Sequence, residues 1–261
     1  MKAFQTLLTG KTPLGTWLMA GAPNTAEALG HAGFDFLVVD MEHVTIEFSD
    51  LAHILRAIGC TPAVPVVRLA WNDQVLVKRA MDAGAETLML PFIQSAEEAK
   101  LAVSYMRYPP HGVRGVAAVH RGSHFGTLPG YLANAHERAF SILQLETPEA
   151  IANLDAIAAV DGVDAIFVGP GDLSASMGHI GNIGHREVQD LIAHAAKAAK
   201  RAGKPVGIVG PNPEMVQRFI DYGYSFAAVA SDMGLMTGRA AEWLGQLRKA
   251  AAPSTPSQSA Y

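Results

Sequence analysis

The chain has 261 residues, 49% of them hydrophobic and 17% charged, with a formal net charge of −4. That is enough apolar material for a sizeable core, in one α/β barrel or in two small domains. The mild acidity argues against a nucleic-acid or anionic-membrane surface, a single cysteine (Cys60) rules out a disulfide framework, and the first fifteen residues lack the apolar core of a signal peptide, so the expectation is a soluble cytoplasmic protein.

Strand and helix patterns alternate along the chain. Leu14 to Leu18 is the first strand candidate, and Asn24 is expected to cap a helix running to His31 and ended by Gly33. Phe36 to Asp40 is a continuous apolar run, as expected of a strand buried on both faces. A helix over 48–58 places Leu51, Ile54, Leu55 and Ile58 on one side, and Cys60 after it reads as a buried small hydrophobe. Strand three spans Pro65 to Leu69. Asn72 or Asp73 opens a helix ending near Gly84, strand four spans Thr87 to Pro91, and Ser95 caps a helix through Tyr105.

From Arg107 to Arg138 the rhythm is interrupted by a stretch rich in glycine, histidine and arginine. An excursion of this length reads as functional or mobile, with a disordered insertion as the alternative. The pattern then resumes with strand five (Ser141 to Leu145), a helix from Pro148 to Ala159, and strand six (Ala165 to Val168). A glycine-rich loop over 178–184 leads to a helix over about 187–202. Strand seven (Pro205 to Val209), a helix over 213–222, strand eight (Phe226 to Ala230) and a last helix over about 234–250 complete the series. Eight such units predict a single (β/α)8 TIM barrel over residues 1–252, with a proline- and serine-rich tail at 253–261 expected to be disordered. A doubly wound sheet is the alternative, although no GxGxxG follows the first strand.

In such a barrel the chemistry sits at the C-terminal ends of the strands. Glu146 and Asp172 each lie just past a strand, and two oxygen ligands there suit a hard divalent cation. The competing reading is that Glu146 caps the next helix and Asp172 sits in a polar turn. Asp40, Glu42 and His43 follow strand two. Asp40 reads as a holder of backbone amides in the turn, and His43 as a group suited to proton transfer or as an exposed loop histidine. Arg68, ending an apolar Val-Val run, must reach an anion or the barrel mouth. Gly171 offers backbone amides to a carboxylate, and Trp17 walls the pocket or belongs to the core. His31, His53, His111, His136, His179, His185 and His194 read as surface or loop residues.

These pieces resemble the HpcH/HpaI class II aldolases. The resemblance is carried by Asp40-Met41-Glu42-His43, Pro65-Val66-Val67-Arg68, Met81-Asp82-Ala83-Gly84-Ala85, Gly112-Val113-Arg114-Gly115, Gln144-Leu145-Glu146-Thr147 and Val168-Gly169-Pro170-Gly171-Asp172-Leu173-Ser174, in the family's order over about residues 1–250. It implies a metal-dependent pyruvate aldolase using magnesium, manganese or cobalt. By position, Glu146 and Asp172 match the metal ligands, and Arg68 the arginine that contacts the keto oxygen. His43 matches the proton-transfer histidine and Asp82 its paired acid, while Gln144 and the Gly171–Asp172 backbone match substrate contacts. The resemblance also implies hexamers of barrels that exchange their last helices. The stretch 115–126 departs from the family pattern, with His124 before Phe125-Gly126. His124 is expected near the aldehyde entrance, so the departure bears on the acceptor.

The function expected is reversible cleavage of a 4-hydroxy-2-oxo acid to pyruvate and an aldehyde through a metal-stabilised enolate. No lysine lies at a predicted strand end to form a Schiff base. A citrate-lyase-like or malyl-CoA-lyase-like enzyme acting on an acyl-CoA, and a non-catalytic metabolite-binding barrel, are the alternatives.

Overall fold

The structure, a computed structural model, describes residues 2–250. Its eight strands are β1 (Leu14–Leu18), β2 (Phe36–Asp40), β3 (Val64–Arg68), β4 (Thr87–Leu90), β5 (Phe140–Leu145), β6 (Ala165–Val168), β7 (Val206–Gly210) and β8 (Phe226–Ser231). Each pairs in parallel with its neighbours in sequence, and β8 returns to β1, so the sheet closes into a (β/α)8 barrel.

The alternation of side chains explains the layers. In β2, Leu37 and Val39 join the core between barrel and helices, while Phe36 and Val38 point into the barrel. With both faces covered, the whole strand is buried. The barrel interior is packed with Trp17, Phe36, Val66, Met89, Ile142, Phe167 and Phe226. Gly15 and Gly207 make room for two of these rings, because a Cβ at either would overlap Phe36 or Phe226.

Twelve α-helices flank the strands among the described residues: α1 (Ala3–Leu7), α2 (Pro23–His31), α3 (Phe48–Ile58), α4 (Gln74–Asp82), α5 (Ala96–Met106), α6 (Tyr131–Arg138), α7 (Pro148–Ala152), α8 (Leu154–Ala158), α9 (Pro170–Ser176), α10 (Arg186–Arg201), α11 (Pro213–Tyr222) and α12 (Asp232–Ala250). The helical spacing of α3 buries Leu51, Ile54, Leu55 and Ile58 as expected, and Glu47 with Asp50 forms a capping box at its start. Asp73 and Ser95 cap α4 and α5 with their side chains. The unforeseen α1 inserts Phe4 among Phe36, Phe140 and Phe226, with ring centroids 5.2–5.4 Å apart. Phe4 thus plugs the N-terminal end of the barrel, leaving its C-terminal end for chemistry.

Several local expectations are corrected. Pro23, not Asn24, opens α2, since the missing N–H of proline is harmless at a first helical position. The helix expected over 148–159 is two short helices hinged at Asn153, whose side-chain amide donates to the Gln94 carbonyl at 2.9 Å. Cys60 is exposed rather than buried. The excursion from Arg107 to Arg138 is folded. A 3-10 turn at Arg121–Ser123 is followed by α6, and Ser123 Oγ donates to the Ala118 carbonyl at 2.8 Å and accepts from the backbone of His120 and Gly126. No described helix is long and apolar enough to cross a membrane. The tail at 253–261 lies outside the described residues, and the expected exchange of the last helix concerns contacts beyond this single chain.

Candidate active site

A cavity of about 490 Å³ opens at the C-terminal end of the barrel. Its lining includes Trp17, His43, Arg68, Gln144, Glu146, Gly171 and Asp172, which come from the ends of five different strands and the segments just after them. Seven of the nine site residues expected from the sequence therefore meet in one place.

Glu146 is the buried acid of this cavity, only 2% exposed. The capping role open to it at the sequence level falls to its neighbour: Thr147 Oγ1 accepts from the Ala150 N–H at 3.1 Å to cap α7. Glu146 Oε1 instead accepts from the Gln144 amide, and Oε2 accepts from the Phe92 N–H at 3.2 Å. Phe92 adopts a left-handed backbone, φ 55°, which turns that N–H toward the carboxylate at a strain of roughly 1–2 kcal/mol. Gly169, just after β6, packs directly on Glu146. A Cβ there would stand 2.8 Å from its Cγ and 3.0 Å from its carboxyl carbon.

Asp172 lies in the first turn of α9, where the sequence reading placed a turn. Proline at the first helical position and an acid in the first turn were the available signals. Its exposed side chain faces the cavity mouth, so the pair consists of one buried and one solvated carboxylate.

Arg68 ends β3 and is itself 7% exposed. Asp40, opposite it in the β2–β3 register, accepts from Nε at 2.9 Å and from Nη2 at 2.7 Å. Asp40 also accepts from the Glu42 N–H at 3.0 Å, the turn-holding role read from the sequence. Arg68 Nη1 lies 2.8 Å from Glu42 Oε2, and the guanidinium carbon stacks 4.3 Å from the Trp17 ring. Trp17 is thus both core and pocket wall. His43 stands at the rim with its side chain 59% exposed, 4.0 Å from Glu42.

Burial pushes Glu146 up to about 7, against the Gln144 hydrogen bond that lowers it, with the charges of Glu42 and Asp172 adding to the rise. Burial also raises Glu42, although Arg68 pulls it down. Glu42, Glu146 and Asp172 lie within electrostatic reach of one another, with Arg68 as the positive charge among them, beside a Gln144 carbonyl oxygen that is buried without a partner. Oxygen donors of this kind suit a hard divalent cation, with Glu146 and Asp172 the candidates to hold it. Glu42 was not among the expected site residues. Nor was the clamp of Asp40 on Arg68 foreseen, and no local signal marks it, because the two meet only through strand pairing.

Asp82 and His124 lie elsewhere within one chain. Asp82 accepts from Arg114 Nη2 at 2.6 Å and lies 3.6 Å from His120 Nε2. Arg114 is fully buried and stacks 4.5 Å from the Tyr108 ring, an anchor that the sequence did not reveal. His124 lines a separate cavity with Gly84, Glu86 and Arg121.

A family model described as HpcH/HpaI aldolase/citrate lyase matches residues 14–238. A 2-dehydro-3,6-dideoxy-6-sulfogluconate aldolase of Pseudomonas putida is 56% identical over 241 residues, 92% of this chain and 94% of that one. A 5-keto-4-deoxy-D-glucarate aldolase of Salmonella arizonae is 43% identical over 229 residues, 88% of this chain and 90% of that one. The crystal structure of a HpcH/HpaI aldolase/citrate lyase family protein from Burkholderia cenocepacia superposes with a TM-score of 0.92 at 38% identity, covering 95% of this chain and 100% of that one.

Proposed function

The chain belongs to the HpcH/HpaI aldolase/citrate lyase family, and on that premise we propose that it cleaves a 2-oxo-3-deoxy sugar acid carrying an anionic group at its far end. It is a carbon–carbon lyase of the pyruvate-aldolase type. The two relatives support the substrate class, since a 6-sulfogluconate and a glucarate derivative both end in an anion. The observation that carries the reading is the convergence of Glu146, Asp172, Arg68 and Gln144 on one cavity.

Glu146 and Asp172 would hold the divalent cation, with Glu42 behind them. When bound, the cation supplies Lewis-acid polarisation of the 2-oxo group. Arg68, fixed by Asp40, donates to the C2 oxygen as negative charge develops there. His43, at the solvent edge, accepts the proton of the C4 hydroxyl. The C4 hydroxyl then becomes the aldehyde carbonyl, the C3–C4 bond breaks, and its electron pair passes to the enolate. A proton delivered to C3 gives pyruvate. Gln144 and the Gly171–Asp172 backbone orient the carboxylate end, and Trp17 keeps water from one face of Arg68. Among the described residues lining the cavity there is no lysine, in keeping with a reaction that forms no Schiff base.

Asp82 and His124 would take part across a subunit boundary, from one copy into the cavity of a neighbour. The exposed Met236, Trp243 and Leu247 on α12 support an assembly of several copies, up to the hexamer expected from the family. A cytoplasmic location belongs to the same reading.

The test is pyruvate release from 4-hydroxy-2-oxo acids ending in sulfonate, carboxylate or hydroxymethyl groups, each with and without EDTA. EDTA should abolish release, and the anionic substrates should be cleaved with the higher kcat/KM. Full activity in metal-free buffer would sink the metal assignment. A preference for the neutral substrate would sink the anionic one.

A further inference from the structure

Away from the cavity floor, one group of three metal-ligating side chains stands out among the described residues: His179, His185 and Glu187. They occupy the loop between α9 and α10 and the first turn of α10. Backbone turns fold this loop onto itself. The His179 N–H reaches back to the Ser174 carbonyl at 2.7 Å, Asn182 N–H donates to His179 at 2.9 Å, and His185 N–H donates to Asn182 at 3.0 Å. Positive φ at Gly178 and Gly181 permits the reversals.

The result is an unusual side-chain arrangement. The imidazoles of His179 and His185 stack with centroids 3.6 Å apart and planes 19° apart. Each ring keeps its nitrogens at its edge, where a cation can approach in the ring plane. His179 Nε2 lies 3.1 Å from Glu187 Oε2, while His185 Nδ1 is buried and has no partner. One ligand atom from each residue lies within 4.8 Å of the other two. Donors around one tetrahedral ion are about 3.3 Å apart, given metal–nitrogen bonds of about 2.0 Å. The exposed Glu187 side chain can close that difference by rotation.

We propose that His179, His185 and Glu187 form a second metal site, selective for a borderline transition cation such as zinc or nickel, that clips the loop after α9 shut. Two imidazoles and a carboxylate suit zinc or nickel, whereas magnesium prefers an all-oxygen set. The clip has a target. Ile183, between the two histidines, lines the active cavity, and its carbonyl is held by Gln189 Nε2 at 2.7 Å. The loop also hangs from Ser174 of α9, the helix that carries Asp172. An ion joining residues 179, 185 and 187 would therefore fix one wall of the cavity without touching substrate.

The proposal is tested by equilibrium dialysis of the whole protein against Zn²⁺, with Mg²⁺ in large excess to fill the cavity. Wild type should retain one Zn²⁺ per chain. His179→Ala and His185→Ala should lose it, and Glu187→Gln should weaken it by more than about tenfold. These side chains contribute little to the core, and an unchanged Tm without zinc checks that each variant folds. A control is needed because His111 and His136 also lie close, with centroids 5.2 Å apart. His111→Ala should leave the zinc in place. Zinc should also slow proteolysis of residues 178–184 in wild type but not in His185→Ala. No zinc retained by wild type, or zinc retained after both loop histidines are replaced, overturns the site. Unchanged proteolysis overturns the clip.

Discussion

Asp40 grips Arg68 through two parallel hydrogen bonds of 2.9 and 2.7 Å, formed because the β2–β3 register sets the two residues side by side. The planar guanidinium is held at Nε and Nη2, while Nη1 lies against Glu42 and one face rests on Trp17. The orientation of the charge that, on the proposed mechanism, meets the developing enolate is therefore set before substrate arrives.

Removing that donor should slow the chemistry more than the binding. Arg68→Ala is expected to lower kcat by about 10²–10³. Arg68→Lys should recover little, since an ammonium cannot take the two-point grip of Asp40. Asp40 is fully buried and outside the cavity lining, so Asp40→Asn should lower kcat by about 100-fold through misplacement of Arg68, with a smaller change in KM. Steady-state kinetics on the three variants checks this. An Asp40→Asn enzyme with wild-type kcat would show that the grip is structural only.

Metal dependence should separate Glu146 and Asp172 from the rest of the site. Glu146→Gln and Asp172→Asn are each expected to lose turnover and to bind Mn²⁺ at least about tenfold more weakly, with the fold retained. Isothermal titration alongside circular dichroism reads both. Wild-type Mn²⁺ affinity in both variants would move the cation elsewhere.

The buried carboxylate also makes a pH prediction for metal-free protein. Glu146 titrates near 4.5 when unfolded and at about 7 when folded. Between these values the native state holds a proton that the unfolded chain has released, so stability falls as pH rises from about 4.5 to 7, by up to about 3 kcal/mol. Glu42, raised for the same reason, acts in the same direction. Denaturant midpoints of EDTA-treated wild type and Glu146→Gln, taken at pH 5 and pH 8, should show a larger loss at pH 8 in wild type. Equal pH slopes in the two proteins would mean that Glu146 is not buried in solution as it is here.

Two glycines two residues apart should behave oppositely. A methyl group at Gly169 would press on the Glu146 side chain, whereas nothing stands within 4 Å of a Cβ at Gly171. Gly169→Ala is therefore expected to shift the carboxylate and weaken the metal by about 10–100-fold. Gly171→Ala should fold normally and bind metal normally. If its KM for the 2-oxo acid rises, the methyl is crowding substrate, as a backbone contact at Gly171 requires. Normal metal binding by Gly169→Ala would show that the site can give way around a methyl.

The strands were legible because burial on both faces leaves continuous apolar runs such as Phe36 to Val39, and the barrel followed from counting them. The strand-end residues Arg68, Glu146 and Asp172 were legible because charges beside such runs need a reason to be there. What escaped was set by contacts far apart in sequence. Phe4 sits in a five-residue helix too short to show periodicity, yet it closes the barrel floor. Arg114 lies in a stretch without regular spacing, and only Asp82 and Tyr108 explain its burial. Glu42 was seen only as an acid beside Asp40 and His43 at the end of β2, and its closeness to Arg68 depends on the turn that Asp40 holds.

The last prediction concerns His124. In one chain it lies outside the cavity, exposed and with left-handed backbone, φ 49°. On the proposed reading it contacts the aldehyde half of the substrate in a neighbouring copy, while Arg68, Gln144 and a cation on Glu146 and Asp172 would hold pyruvate within the chain. The two halves of the reaction should then come apart under mutation. His124→Asn is the suitable variant, because asparagine tolerates the left-handed backbone and any loss reports the imidazole rather than strain. It should change the ratio of kcat/KM between anionic and neutral aldehydes by about tenfold, the effect of one contact worth roughly 1.4 kcal/mol. Exchange of the pyruvate methyl protons with deuterium, followed by NMR in the presence of metal, needs no aldehyde and should stay within about twofold of wild type, well inside the range of one weak contact. Equal losses of exchange and of aldol addition for every aldehyde would place His124 in the folding of the 107–138 segment instead.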